Sequence, residues 1–221
     1  MIVEQRIRDY LHSLEPDQGD LLEEISRKAI RDEVPIIKKE TGALLKTMVA
    51  AKRPRAILEV GTAVGYSALL MAGVMPAECT ITTIEKYEPR IPVAKANFKR
   101  AGEEERITLL EGDAEEILKE LEGPYDFIFM DAAKGQYIHF LPEVLRVLDK
   151  NGVLITDNVL QDGDVIESRF AVERRNRTIH KRMREYLFEL THNEGLLTSV
   201  VPLGDGIAIT MKSHEKREET T

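Results

Sequence analysis

Apolar and polar positions change their rhythm twice along this chain. Through residues 2–15 and 20–33 they recur at helical spacing, with Gly19-Asp20 as break and cap. Val34-Pro35-Ile36 interrupts the second pattern, because the residue before a proline is steered away from helix. A helix resumes over Thr41–Lys52, with Leu44, Leu45, Met48 and Val49 on one side. From Ala56 onward, short apolar runs alternate with helical stretches. The runs are Ala56–Val60, Thr80–Ile84, Ile107–Leu110, Phe127–Met130 and Val153–Ile155. The spacing between them predicts helices over Tyr66–Val74, Glu88–Arg100, Ala114–Leu121 and from Lys134 to about Leu148. Pro92 argues for a later start to the second of these. Near residue 168 the rhythm changes again. A basic helix is predicted over about 168–193, then two strands, Leu197–Leu203 and Ile207–Lys212, separated by Gly204-Asp205-Gly206. Three residues containing glycine between two apolar runs predict a hairpin.

This order implies a doubly wound α/β fold: a parallel sheet closed by a C-terminal antiparallel hairpin, under an N-terminal helical cover. No repeat or long linker divides it, so one domain over 1–221 is expected, with the cover at 1–53, the core at 54–212 and a polar tail at 213–221 that frays.

Composition narrows this little. Hydrophobic content of 43% with 32% charged residues is ordinary for a globular chain. One cysteine, Cys79, precludes an intrachain disulfide. No stretch has the length of a membrane span, and the charged N-terminus lacks a signal-peptide core, so a cytoplasmic protein is expected. The net charge of −8 hides an asymmetry. Arg169–Arg184 carries seven basic residues against one acid, a charge of +6 that leaves −14 on the rest. Arg174, Arg175, Arg177, Lys181, Arg182 and Arg184 are the candidate RNA contacts; a solvated face or a dimer contact is the alternative.

The candidate chemistry lies where strands end. Phe127–Met130 ends in Asp131, and Val153–Ile155 leads to Asp157-Asn158. Neighbouring parallel strands bring such ends together at the carboxyl edge of the sheet, where open α/β folds bind ligands. Two carboxylates and an amide oxygen suit a hard cation such as Mg²⁺. Lys134, three residues past Asp131, overhangs the same edge. A single Asp at a strand end is usually a turn residue or helix cap; the cluster argues for a site. At the other strand ends stand Glu59-x-Gly61-x-x-x-Gly65, Glu85 and Asp113. The glycine spacing is neither Gly-x-Gly-x-x-Gly nor a phosphate loop, so a dinucleotide is not indicated. Glu85 is placed to accept from ribose hydroxyls, and Asp113 from the amino group of adenine.

Taken together, Glu59-Val-Gly61-Thr-Ala-Val-Gly65-Tyr-Ser67, Glu85, Gly112-Asp113-Ala114, Met130-Asp131-Ala-Ala-Lys134-Gly-Gln-Tyr137 and Thr156-Asp157-Asn158 resemble the cation-dependent O-methyltransferases, which include the catechol and caffeoyl-CoA enzymes. The resemblance covers about residues 34–212 and implies a class I methyltransferase fold of Rossmann-like type. It implies S-adenosylmethionine and Mg²⁺ or another divalent cation as cofactors, and a homodimer. Carried over by position, Ser67 holds the methionine carboxylate, Glu85 the ribose, Asp113 and Ala114 border adenine, and Ile37 lines the cofactor pocket. Asp131, Asp157 and Asn158 hold the metal, Asp131 also lies near the methionine amino group, and Lys134 is the candidate base. The absence of Trp departs from the catechol branch. The stretch Arg177-Thr-Ile-His-Lys-Arg-Met-Arg-Glu-Tyr186 and Val201-Pro-Leu-Gly-Asp-Gly206 looks like the bacterial tRNA 5-hydroxyuridine methyltransferases. That likeness implies 5-hydroxyuridine in the anticodon loop of tRNA, at the wobble position, as the acceptor. A small catechol-like phenol is the alternative.

Overall fold

The computed structural model describes residues 3–213. Three helices come first: α1 (Gln5–Leu14), α2 (Asp20–Arg31) and α3 (Lys39–Lys52). The alternating part follows as β1 (Ala56–Val60), α4 (Tyr66–Ala72), β2 (Thr80–Glu85), α5 (Ile91–Ala101), β3 (Ile107–Glu111), α6 (Ala114–Glu120), β4 (Tyr125–Met130), α7 (Tyr137–Val147) and β5 (Leu148–Thr156). The chain ends in α8 (Arg177–His192), β6 (Leu196–Val201) and β7 (Ile207–Lys212). All seven strands form one sheet in the order β3-β2-β1-β4-β5-β7-β6. The first five are parallel, and β7 runs antiparallel to both β5 and β6.

The central strands are apolar throughout because both faces are covered. Phe127, Ile128, Phe129 and Met130 are fully buried, each contributing about 1.5–3 kcal/mol by leaving water. Alternate side chains feed two cores. Ile57, Phe127, Phe129 and Ile155 pack with α2, α3, α4 and α5 on one face. Leu58, Ile128, Met130 and Leu154 pack with α6, α7 and α8 on the other. Helix α1 buries none of its residues. Among the described residues no helix is long and apolar enough to cross a membrane.

Several boundaries differ from the sequence expectation. The second predicted core helix begins at Ile91, which puts Pro92 in the first turn, where its missing N–H costs nothing. The Asn151-Gly152 turn lies inside β5, as an irregularity with Asn151 at φ 61° and a register shift against β4. The basic helix starts at Arg177, not near 168; Arg174–Asn176 form a separate 3₁₀ turn and Arg169 precedes it. Lys134–Gln136 likewise form a 3₁₀ turn ahead of α7. The expected frayed tail lies, from residue 214 on, outside the described residues.

Candidate active site

The sheet's hydrogen-bond ladder continues one residue beyond β4 and β5. Asp131 N donates to Val60 O, and Asp157 N to Met130 O, both at 3.0 Å. The two acids are thereby set side by side at the carboxyl edge, as their strand-end positions predicted. Asn158 then turns the chain away with φ 62°, a left-handed conformation that asparagine tolerates better than most residues. Behind this edge Tyr137 Oη donates to Asp157 O at 3.3 Å, and the Tyr186 hydroxyl bonds Thr156 Oγ1 at 2.6 Å.

A cavity of about 500 Å³ opens at this edge. Ile37, Gly61, Ser67, Glu85, Asp113, Ala114, Asp131, Lys134 and Asn158 line it, so residues predicted from six segments of sequence are brought together. Gly61 sits at φ 107°, and a Cβ there would run into the carbonyl of Asp131; the two strand ends approach this closely only through glycine. The volume is that of a nucleoside-sized ligand site.

Glu59, Gly65 and Asp157 are absent from the lining; Asp157, 2% exposed, lies just behind Asn158. Gly65 makes the left-handed turn into α4, where a Cβ would strike the Phe98 ring at 2.5 Å. Glu59 is wholly buried behind the cavity wall. Its carboxylate accepts from Ser67 Oγ at 2.6 Å and from Thr83 Oγ1 at 2.5 Å, and Thr83 also bonds Thr62 Oγ1 at 2.6 Å. Burial pushes Glu59 up to about 7, against the pull of those two hydroxyls. Ser67, expected to hold a carboxylate of the ligand, is thus bonded to Glu59 in this structure. The hydroxyl network through Thr62 and Thr83 went unread in the sequence, where threonine in a strand signals β-propensity before chemistry.

Glu85 is fixed from two sides. Oε2 accepts from Ala63 N and Oε1 from Tyr87 N, each at 2.8 Å, which ties the turn after β1 to the turn after β2. Each oxygen keeps a lone pair for a ligand hydroxyl. Asp113 caps α6 by accepting from Glu115 N at 2.9 Å and pairs with Lys86 at 3.2 Å. These bonds hold its carboxyl below the usual range. At this position the capping role and the cavity-lining role coincide.

The acids at the edge are short of partners. Among the described residues the Asp131 side chain accepts no hydrogen bond; Asp157 Oδ1 accepts only from the adjacent Asn158 N, at 2.7 Å. Burial raises both carboxyls well above the ordinary range. The charge of Asp131 raises Asp157 further, whereas Lys134 partly offsets the rise at Asp131. Buried carboxylates with unfilled acceptor capacity fit a cation. No group of three or more His, Cys, Asp or Glu able to hold a metal occurs among the described residues, so the Asn158 amide would have to complete the set.

Lys134 donates to Asp205 Oδ2 at 2.9 Å. Asp205 lies in the hairpin turn and is 5% exposed; the sequence marked this residue only as a turn. The basic residues lie apart from the cavity lining, and several are already engaged. Arg177 donates to Val172 O, Arg182 to Gly135 O and Arg184 to Val165 O, at 3.3, 3.0 and 3.1 Å. Arg175 pairs with Glu173 at 2.7 Å and Lys181 with Glu185 at 3.4 Å.

Comparison with known proteins identifies the family and the fold. The model of the O-methyltransferase family matches residues 12–213. A catechol O-methyltransferase of Niastella koreensis is 34% identical over 131 residues, spanning 57% of this chain and 59% of that protein. A caffeoyl-CoA O-methyltransferase of Medicago sativa is 30% identical over 186 residues, spanning 77% and 72%. A crystal structure from Staphylococcus aureus assigned to the caffeoyl-CoA O-methyltransferases superposes with a TM-score of 0.87 at 33% identity, covering 95% of this chain and all of that one. A Podospora anserina methyltransferase bound to S-adenosylhomocysteine superposes at 0.84 with 26% identity, covering 95% and 94%.

Proposed function

Because the chain belongs to the O-methyltransferase family and is an S-adenosylmethionine-dependent enzyme of the catechol and caffeoyl-CoA type, we propose that it methylates one of two adjacent ring oxygens held at a divalent cation. The acceptor in this reading is the 5-hydroxyl of 5-hydroxyuridine in a tRNA anticodon loop, with O4 as the neighbouring oxygen. The observation that carries it is a pair of under-bonded carboxylates, half-buried Asp131 on the cavity wall and buried Asp157 directly behind Asn158, which also lines it. When bound, S-adenosylmethionine supplies an electrophilic methyl, and a cation such as Mg²⁺ acidifies and orients a ring hydroxyl.

The chain's own residues then have these parts. Glu85 accepts from the ribose hydroxyls, Asp113 and Ala114 border the base, and Ile37 closes the apolar side. Ser67 turns from Glu59 to the methionine carboxylate. Asp131, Asp157 and Asn158 hold the cation. Lys134, acting as a neutral amine that still donates one N–H to Asp205, takes the proton of the hydroxyl: the O–H bond breaks, an N–H bond forms on Nζ to give the ammonium, and the oxygen keeps the electron pair. Most of the acceleration comes from holding oxygen and methyl in line.

Two features support RNA. Arg169, Arg174 and Arg175 precede α8 on an otherwise acidic chain. Between them stands Phe170, 85% exposed, a ring on which an unstacked base can lie. The small-phenol reading is favoured by the relatives, which are named for catechol and caffeoyl-CoA. Purified protein with S-adenosylmethionine should be offered tRNA bearing 5-hydroxyuridine and, separately, pyrocatechol, with Mg²⁺ or EDTA. Mass spectrometry of the nucleosides should find 5-methoxyuridine only with the metal. Methylation of pyrocatechol alone would give the small-phenol reading the place of the first.

A further inference from the structure

We infer that Asp205 is the positioning residue for Lys134, and that the turn between β6 and β7 is a working part of the active site. The inference rests on the proposed function only for the part Lys134 plays in the reaction. Asp205 is joined to two pieces of the site at once. Its Oδ2 accepts from Lys134 Nζ at 2.9 Å, and its Oδ1 accepts from Asp162 N. Its own carbonyl accepts from Leu160 N, and the carbonyl of Gly206 from Val159 N, both at 3.0 Å. Three of the four residues after Asn158, namely Val159, Leu160 and Asp162, are therefore pinned to this one turn.

That segment needs a brace. Gln161 and Asp162 both take left-handed backbone angles, φ 50° and 53°, which cost non-glycine residues energy that surrounding contacts must offset. Gly206, at φ 87°, is what lets the turn lie against Leu160; any Cβ there would collide with the Leu160 side chain and backbone. On its far side the turn is backed by α3, since Thr41 Oγ1 lies 2.9 Å from where a Gly204 Cβ would stand. The turn is thus wedged between α3 and the residues next to Asn158, and Asp205 cannot drift.

A lysine side chain has four rotatable bonds and loses more freedom than most when it is fixed. The Lys134 side chain is 37% exposed, so packing alone does not fix it; the Asp205 side chain is 6% exposed and does. This is the arrangement of a base oriented by a third group, here a lysine held by a carboxylate from the end of the chain. A purely structural brace would need only the bond to Asp162 N. The second oxygen on Lys134 is the part that bears on the reaction.

The two roles separate in a double-mutant cycle with a readout that needs no substrate. Asp205→Asn keeps an oxygen for Asp162 N and removes the charge facing Lys134. We expect kcat to fall by about ten- to a hundredfold, with the KM for S-adenosylmethionine unchanged. In a Lys134→Met background the same change should have no further effect on kcat. Losses that multiply would overturn the inference, because Asp205 would then act independently of Lys134. In the metal-free, substrate-free protein, reductive methylation followed by peptide mass spectrometry should label Lys134 several-fold faster in Asp205→Asn than in the wild type. Equal rates would show that Asp205 does not hold the amine. Should Asp205→Asn fail to fold, Asp205→Glu keeps the charge and displaces the amine by one methylene. It should lower kcat at unchanged KM for the cofactor, and a wild-type kcat would count against the inference. If the wild type methylates neither acceptor, the proposed reaction fails, and the labelling rates still decide whether Asp205 holds Lys134.

Discussion

At the scale of single residues, the site is governed by carboxylates that are out of water. Glu59 gives a sharp consequence. Its folded value of about 7 lies above the ordinary 4.5, so the folded state holds the proton more tightly than the unfolded chain. The stability it contributes is complete below the unfolded value and is lost as pH rises through the folded one. Glu59→Gln carries no charge at any pH. The stability difference between variant and wild type, followed by denaturant unfolding, should therefore move in the variant's favour from pH 5 to pH 8. The swing should be on the order of 3 kcal/mol, since each tenfold gain in proton affinity is worth about 1.4 kcal/mol; a flat difference would mean that Glu59 is not desolvated. Asp131 and Asp157 are raised for a related reason, and a cation needs both ionised. Mg²⁺ affinity measured by calorimetry should weaken as pH falls below neutrality, with protons released on binding. Asp157→Ala should abolish both the binding and the metal-dependent turnover while melting as a folded protein. Sequence made these acids legible because each ends an apolar run. It hid Asp205 and Thr83, whose importance comes from partners 71 and 24 residues away.

At the scale of elements, the alternation of strands and helices was readable, since each strand is a short apolar run between turn residues and each helix keeps its period. Boundaries were less readable where local chemistry competes. The 3₁₀ turns at Lys134–Gln136 and Arg174–Asn176 read as the first turns of the helices that follow them. The basic segment shows what this changes. Three of its arginines, Arg177, Arg182 and Arg184, are occupied in holding the loops before α7 and α8, so charge reversal there would disturb the fold. Arg174 and Arg175, in the turn ahead of α8, are the better test. If both meet phosphates, Arg174→Glu with Arg175→Glu should flatten the slope of log affinity for tRNA against log salt by about 1.4, at about 0.7 per contact on a single strand. Binding of S-adenosylhomocysteine should not change. An unaltered slope would leave these residues as a solvated face.

On the scale of the whole molecule, α1 is the one helix whose apolar side has no cover within the described residues. Ile7, Tyr10, Leu11 and Leu14 recur at helical spacing and are 50%, 64%, 36% and 60% exposed. The expected dimer can be tested on this stripe, where a second copy of the chain would find an apolar face. Tyr10→Lys with Leu14→Lys should then lower the mass seen by light scattering from that of two chains to that of one. An unchanged dimer would place the interface elsewhere. The sheet order carries a different consequence, for the chain while it is being made. Strand β7 lies between β5 and β6, so the last of the described strands to be synthesised fills an inner place in the sheet. When Asn158 leaves the ribosome the cofactor end is complete, yet roughly fifty residues, on the order of 3 to 10 seconds of synthesis, separate it from Lys212. During that interval β5 is an open edge, Lys134 has no Asp205, and the residues after Asn158 lack the turn that braces them. Along the chain, the residues that line the cofactor cavity thus precede the carboxylate that holds Lys134, and the final hairpin both closes the edge of β5 and delivers Asp205.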